Sequence, residues 1–302
     1  MKKETLGTFL VICTAIISGF AIPVNKLLII DLSPTVFTAT RAILIGIGFF
    51  IIVSFKNNFK FKKFKKVPWK SLLIIGFIGG GLAFLFYFTG IKLTTSGRAA
   101  FLHKTLPIYT IILAFLFLKE KVIKKQILAL ILMLFGTFMI YSSTIAPSEL
   151  WLEPSIGDFL VILATFLWAV ENTIAKGVMI KGESNFVVTF SRMFFGAILL
   201  FGILLGLGKL DQLLSLTIEQ IGKLLISTTI LFGYVFTWYW GIKMINVSKA
   251  APLLLLSPVI SLFLGVIWLG EPTPELQLLG SILILIGAYI VSTIKSEFIT
   301  AV

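Results

Sequence analysis

The sequence predicts an all-α fold: a polytopic membrane protein of ten transmembrane helices, arranged as two inverted five-helix repeats. Three observations lead there. The composition is too apolar for water, ten apolar runs have spanning length, and the second half restates the first. Of 302 residues, 58% are hydrophobic and 13% charged, with a mean hydropathy of +1.06. A soluble domain cannot cover that much apolar surface with so few charges. Backbone polar groups in hydrocarbon must bond within the protein, which leaves helices or a closed barrel. The apolar runs here are continuous rather than alternating, and that selects helices.

About twenty apolar residues cross a hydrocarbon core roughly 30 Å thick. Windows of about 19 residues predict spans at 5–30, 35–55, 69–91, 97–118, 122–142, 156–178, 185–207, 220–242, 249–269 and 275–294. Lys2 and Lys3 ahead of the first run resemble a signal-peptide start, but no convincing cleavage site follows, so the run is read as an uncleaved span. With the N-terminus inside, eighteen Lys residues fall on inner segments. Only Lys92, Arg98, Lys209 and Lys223 fall on outer ones. Cationic loops stay cytoplasmic, so both termini are expected in the cytoplasm and the protein in the cell membrane. The charge of +13 is thereby accounted for without a nucleic-acid partner. The lysines from Lys56 to Lys70 are read as a topology signal attracted to anionic lipid. One cysteine, Cys13, and one histidine, His103, leave no conventional metal set, and no phosphate-binding glycine loop is present, so neither metal nor cofactor is expected.

A shift of 151 aligns residues 87–142 with 238–293 without a gap, and 16 of the 56 pairs are identical. The informative matches are Gly90/Gly241, Lys92/Lys243, Pro107/Pro258, Glu120/Glu271, Gln126/Gln277 and Gly136/Gly287. Arg41 matches Arg192. A shift of 150 pairs Gly7-Thr8-Phe9-Leu10 with Gly157-Asp158-Phe159-Leu160, and Lys26 with Lys176. Five spans per half make equivalent helices antiparallel, and inverted repeats are an architecture of secondary transporters, with the substrate site near the midplane.

On these features the chain resembles the drug/metabolite transporter superfamily, specifically its EamA-type members. The motifs are Arg98-Ala99-Ala100, Pro107 and Leu118-Lys119-Glu120, with a second copy in Lys249-Ala250-Ala251, Pro258 and Leu269-Gly270-Glu271. The resemblance implies two repeats, at 1–145 and 155–296, and export or exchange of a small metabolite, often an amino acid. It also implies a cavity lined by spans one, three, four, six, eight and nine. The first half departs at His103-Lys104, where the second has Leu254-Leu255. The competing interpretation is a membrane-embedded lipid-modifying enzyme, for which only Glu171, His103 and Lys104 offer a cluster.

A charge inside a span costs at least about 2.5–3.5 kcal/mol unless it meets protein or water. Lys104, about six residues into span four, is a candidate contact for a substrate anion or a switching pair, against a snorkelling or structural lysine. Its neighbour His103 is a candidate titrating group. Glu171, beside Asn172 and one turn after Trp168, is read as a proton-coupling group or the partner of a substrate amine, against a structural pairing. Lys104 and Glu171 are expected to meet across the repeat interface. Tyr87 and Trp238 hold matching positions, with Tyr239 next. They suit an aromatic wall for an amphipathic or cationic substrate, with a membrane-interface belt as rival.

Pro107 and Pro258 fall mid-span and are read as hinges for alternating access or as static kinks. Ser18-Gly19 with Pro23 and Asn25-Lys26 marks a broken helix at the site or a tight crossing. Structural roles are expected for Arg41 and Arg192. Glu120 and Glu271 are assigned to the start of the helix that follows each, and Gly79-Gly80-Gly81 to close helix contact. The expected partners are a small-molecule substrate, with a proton as candidate coupled species, and membrane lipid.

Overall fold

Lipid supplies no hydrogen-bond partners, so each apolar run closes its backbone bonds within itself and becomes a helix. The computed structural model describes residues 2–28, 33–57, 67–143, 154–270 and 272–296. Ten helices of spanning length and apolarity lie within them: Lys3–Ala21, Thr35–Phe55, Trp69–Leu93, Gly97–Leu118, Lys124–Ser142, Ile156–Ile180, Asn185–Gly206, Ile218–Met244, Val247–Trp268 and Glu275–Thr293. They are spans one to ten below. Apolar side chains such as Phe9, Phe115, Ile131 and Leu278 stand exposed along their outer faces, as a lipid-facing surface requires.

Packing repeats the inverted symmetry. Span three crosses span six where Gly90 faces Gly157, and a Cβ on Gly90 would stand 2.8 Å from the Gly157 carbonyl oxygen. The repeat counterparts Gly241 and Gly7 make the matching crossing of spans eight and one, with 3.2 Å from a Gly241 Cβ to the Gly7 oxygen. Small residues let backbones approach this closely. Spans two and seven pack together, as do five and ten. Two symmetric trios result, spans one, eight and nine and spans six, three and four.

Spans four and nine are each broken at the same repeat position. Span four is helical over Ser96–His103 and again over Leu106–Leu118. Span nine runs Val247–Leu253, a 3-10 turn at Leu254–Leu256, then Ser257–Leu269. Pro107 and Pro258 open the second helix of each pair, where a missing N–H costs nothing. They therefore begin helices rather than kink them. Span one is continuous from Lys3 to Leu28. Its Ser18-Gly19 step is a tight crossing, since Ser261 Oγ donates to the Gly19 carbonyl at 2.8 Å.

The assignment of Glu120 to the following helix is corrected. Its buried carboxylate accepts from the Val247 and Ser248 amides at 3.0 and 2.9 Å, so it caps span nine, in the other repeat. A helix start offers unbonded amides that favour an anion. Glu271 lies outside the described residues, as do the lysines from 60 to 66.

The glycine triplet falls in a π-helical stretch, Gly76–Leu82, against spans six and seven. A Cβ on Gly80 would lie 1.8 Å from the Arg192 carbonyl oxygen. Gly80→Ala is therefore expected to abolish folding or lower the thermal midpoint in detergent far more than Gly202→Ala, whose Cβ meets nothing within 4 Å. Equal midpoints for the two variants would rule out the close crossing.

Candidate functional site

The first and last described helices bring Glu4 and Ser296 together at one end of the bundle, the termini end, where Ser296 N donates to Glu4 Oε1 at 2.6 Å. That end is held by buried polar contacts. Glu4 Oε1 also accepts from Lys249 Nζ at 3.1 Å, and Gln126 Nε2 donates to the Ser248 carbonyl at 2.8 Å. Lys176, counted from sequence among the loop cations, is buried instead. Its Nζ donates to the Ile242 and Ile245 carbonyls at 2.7 and 2.8 Å, satisfying the last carbonyls of span eight. At the far end Arg98, the repeat mate of Lys249, pairs with Asp158 at 2.9 Å. Each broken span thus begins with a cation tied to the start of span six or span one.

Between the ends lies a cavity of about 160 Å³. Its lining includes Tyr87 and Phe88 from span three, His103 and Leu106 from span four, and Trp168 and Asn172 from span six. Ser18 and Ala21 come from span one, and Tyr234 and Trp238 from span eight. Arg41 in span two and Arg192 in span seven line it as well. The helical register puts most of these groups in the half of the bundle away from the termini. A second, larger cavity of about 380 Å³ indents the termini end beside Lys121, Gln126, Lys249 and Lys295, and shares no lining residue with the first.

Five of the residues singled out from sequence therefore share one wall: Tyr87, His103, Trp168, Asn172 and Trp238. Their polar atoms orient the rings. Trp168 Nε1 donates to the Gly79 carbonyl at 3.0 Å, and Trp238 Nε1 to Asn172 Oδ1 at 2.8 Å. His103 Nδ1 is 3.4 Å from Thr165 Oγ1, with its ring 5.2 Å from Tyr87 and 5.1 Å from Trp168. Tyr87 and Trp238 both line the cavity.

The expected pair of Lys104 with Glu171 is absent. Lys104 is buried, and its Nζ donates at 2.7 Å to Ser257 Oγ, which in turn donates to the Leu254 carbonyl. The lysine thus joins the breaks of spans four and nine, beside a small side cavity that also touches His103 and Pro107. Glu171, fully buried, accepts from Tyr239 Oη at 2.5 Å and lies 3.8 Å from Arg192 Nε. Arg192 Nη1 donates to the same Tyr239 oxygen at 3.2 Å. A buried carboxylate without a cation would be too costly to keep charged, and Arg192 supplies that cation.

Glu171 and Tyr239 lie behind the wall, and Arg192 is the member of the group that reaches the cavity. Arg41 and Arg192, expected to serve the fold alone, are at the site. Their repetition was the available signal, since a charge at matching positions of two inverted halves has two chances to face the interface between them. The expected lining is corrected too, because spans two and seven contribute and span nine enters only at the side cavity. The Asn25 side chain lies outside the described residues. Among the described residues no cluster of three or more His, Cys, Asp or Glu could hold a metal.

Comparison with known proteins agrees with this architecture. A solved crystal structure superposes with a TM-score of 0.75 at 16% identity, over 94% of this chain and 95% of that one. An uncharacterized transporter of Bacillus subtilis (strain 168), YoaV, is 25% identical over 96% of both chains. A Salmonella typhimurium (strain LT2) protein named a probable amino-acid metabolite efflux pump is 26% identical over 93% of both. Its Escherichia coli (strain K12) namesake is 28% identical over 80% of this chain and 82% of that one. The EamA-like transporter family matches twice, at residues 5–142 and 155–293, once for each half in which the glycine crossings and the helix breaks recur. The chain belongs to the EamA-like transporter family.

Proposed function

We propose that this transporter is a secondary carrier of a small metabolite of the amino-acid type, exporting or exchanging it by alternating access around the aromatic cavity between the repeats. The observation that carries this is an aromatic cavity between two inverted helix trios, lined from both repeats. Tyr87, His103 and Arg41 come from the first repeat, and Trp168, Asn172, Trp238 and Arg192 from the second. Inverted repeats can expose such a midplane cavity to either side by rocking one trio of helices against the other. The names of the Salmonella and Escherichia coli relatives favour amino-acid metabolites as cargo. The family is one of transporters, not of enzymes.

Spans four and nine are where the rocking would be absorbed. Each is already divided ahead of Pro107 or Pro258, so rotation there disturbs short 3-10-type turn bonds rather than a continuous α-helix. Counterflow of labelled amino acids in proteoliposomes tests both points. Flux above empty liposomes is expected, and Pro107→Ala should slow it more than it lowers the yield of folded protein. No flux from any amino-acid pool would reject the cargo class, and a variant that loses yield but not rate would reject the hinge.

Protonating Glu171 removes the anion paired with Arg192, so this group is where a proton would couple to the state of the cavity. Arg192→Met leaves Glu171 uncompensated, at a cost of about 3–5 kcal/mol read as a lower thermal midpoint. Adding Glu171→Gln should recover much of that stability without recovering transport. A double variant that transports at the wild-type rate would remove the pair from the mechanism.

We also assign both termini to the cytoplasm, from the distribution of lysines. In a Cys13→Ser background, Lys3→Cys should react with an impermeant maleimide in inside-out vesicles only. Labelling of intact cells would reverse the orientation.

A further inference from the structure

The repeat symmetry is broken at one charged position. Arg192 of the second repeat is matched by Glu171 and Tyr239. Its counterpart in the first repeat is Arg41. The shift of 150 that pairs Gly7 with Gly157 and Lys26 with Lys176 also pairs Ala21 with Glu171, and the shift of 151 pairs Phe88 with Tyr239. Neither counterpart can accept a hydrogen bond from a guanidinium through its side chain. Ala21, Arg41 and Phe88 all line the cavity. The space that Glu171 fills in one repeat is therefore open cavity in the other.

Arg41 is only 4% exposed. Its guanidinium stacks on Phe37 at 4.5 Å from the ring centroid, its buried Nε has no hydrogen-bond partner, and no carboxylate pairs with it among the described residues. An arginine at this depth normally meets a carboxylate, because its charge is costly to bury alone and its planar fork matches two carboxylate oxygens. From the empty counter-ion position we infer that Arg41 binds a carboxylate of the substrate, which occupies beside Ala21 and Phe88 the place that Glu171 holds beside Arg192. The cargo is then a monocarboxylate with an apolar or aromatic body, the remaining wall being Tyr87, Trp168 and Trp238. This rests on the proposal that the cavity carries the substrate.

The test uses the full chain in detergent, with the common L-amino acids at millimolar concentration and their carboxamides as matched probes lacking the anion. One or more acids should raise the thermal midpoint by a few degrees, and the corresponding amide should not. Arg41→Gln should lose the response, and Arg41→Lys should weaken binding about tenfold or more.

A ligand-free arm separates this assignment from the transport proposal. Ala21→Glu supplies the missing carboxylate within the protein, so it should melt several degrees above Ala21→Gln and no longer respond to the acids. Amides that stabilise as well as acids, or an Arg41→Gln variant that still responds, would overturn the assignment. So would Ala21→Glu melting no higher than Ala21→Gln. If no amino acid stabilises any variant, the amino-acid cargo falls and the Ala21 comparison alone decides whether Arg41 awaits a carboxylate.

Discussion

The structure depends on one constraint: inside the bilayer nothing but the protein can satisfy a charge or a broken helix. The ends of spans eight and nine and the breaks of spans four and nine interrupt the helical bonding pattern, and the chain answers with long polar side chains from elsewhere. Glu120 reaches across the repeat to the first amides of span nine, and Lys176 to the last carbonyls of span eight. Lys104 bridges the two breaks through Ser257. A soluble protein would leave such groups to water. Here each becomes a specific link between helices distant in sequence.

Inverted repetition adds a second consequence. Because the halves are related by a pseudo-two-fold axis in the membrane plane, a contact that ties one end has a counterpart at the other, as with Lys249–Glu4 and Arg98–Asp158. Symmetric ties do not favour either opening. Glu120 on the span-nine amides, Gln126 on Ser248, and Lys176 on Ile242 and Ile245 add further ties at the termini end. Their repeat mates Glu271, Gln277 and Lys26 carry the same residue types, so duplication kept the polar positions that tie the ends.

The ten spans, the inverted repeat and the family were legible in the sequence because they rest on length, apolarity and a fixed shift, which survive without knowledge of contacts. The aromatic wall was legible for a related reason. Tyr87 and Trp238 match across the repeats, and a matched pair is drawn to the axis between them. The pairing of charges was not legible. Lys104 and Glu171 lie at compatible depths, but depth leaves the direction around the helix open, and Glu171 turns toward Tyr239 and Arg192 instead. The reach of Glu120 was hidden too. A carboxylate at the end of a span has the following helix start as its nearest neighbour in sequence, and only packing reveals a nearer one in space.

Arg41 and Arg192 join these lines of argument. Repetition at matching repeat positions suggests a shared structural duty, and for Arg192 that duty is to neutralise Glu171. The same logic applied to Arg41 finds no carboxylate, only Ala21, Phe88 and open volume. A charge that the fold holds buried, stacked on Phe37 and facing a cavity is costly to keep without a partner. A carboxylate arriving with the cargo would remove that cost and complete an electrostatic symmetry the empty protein lacks.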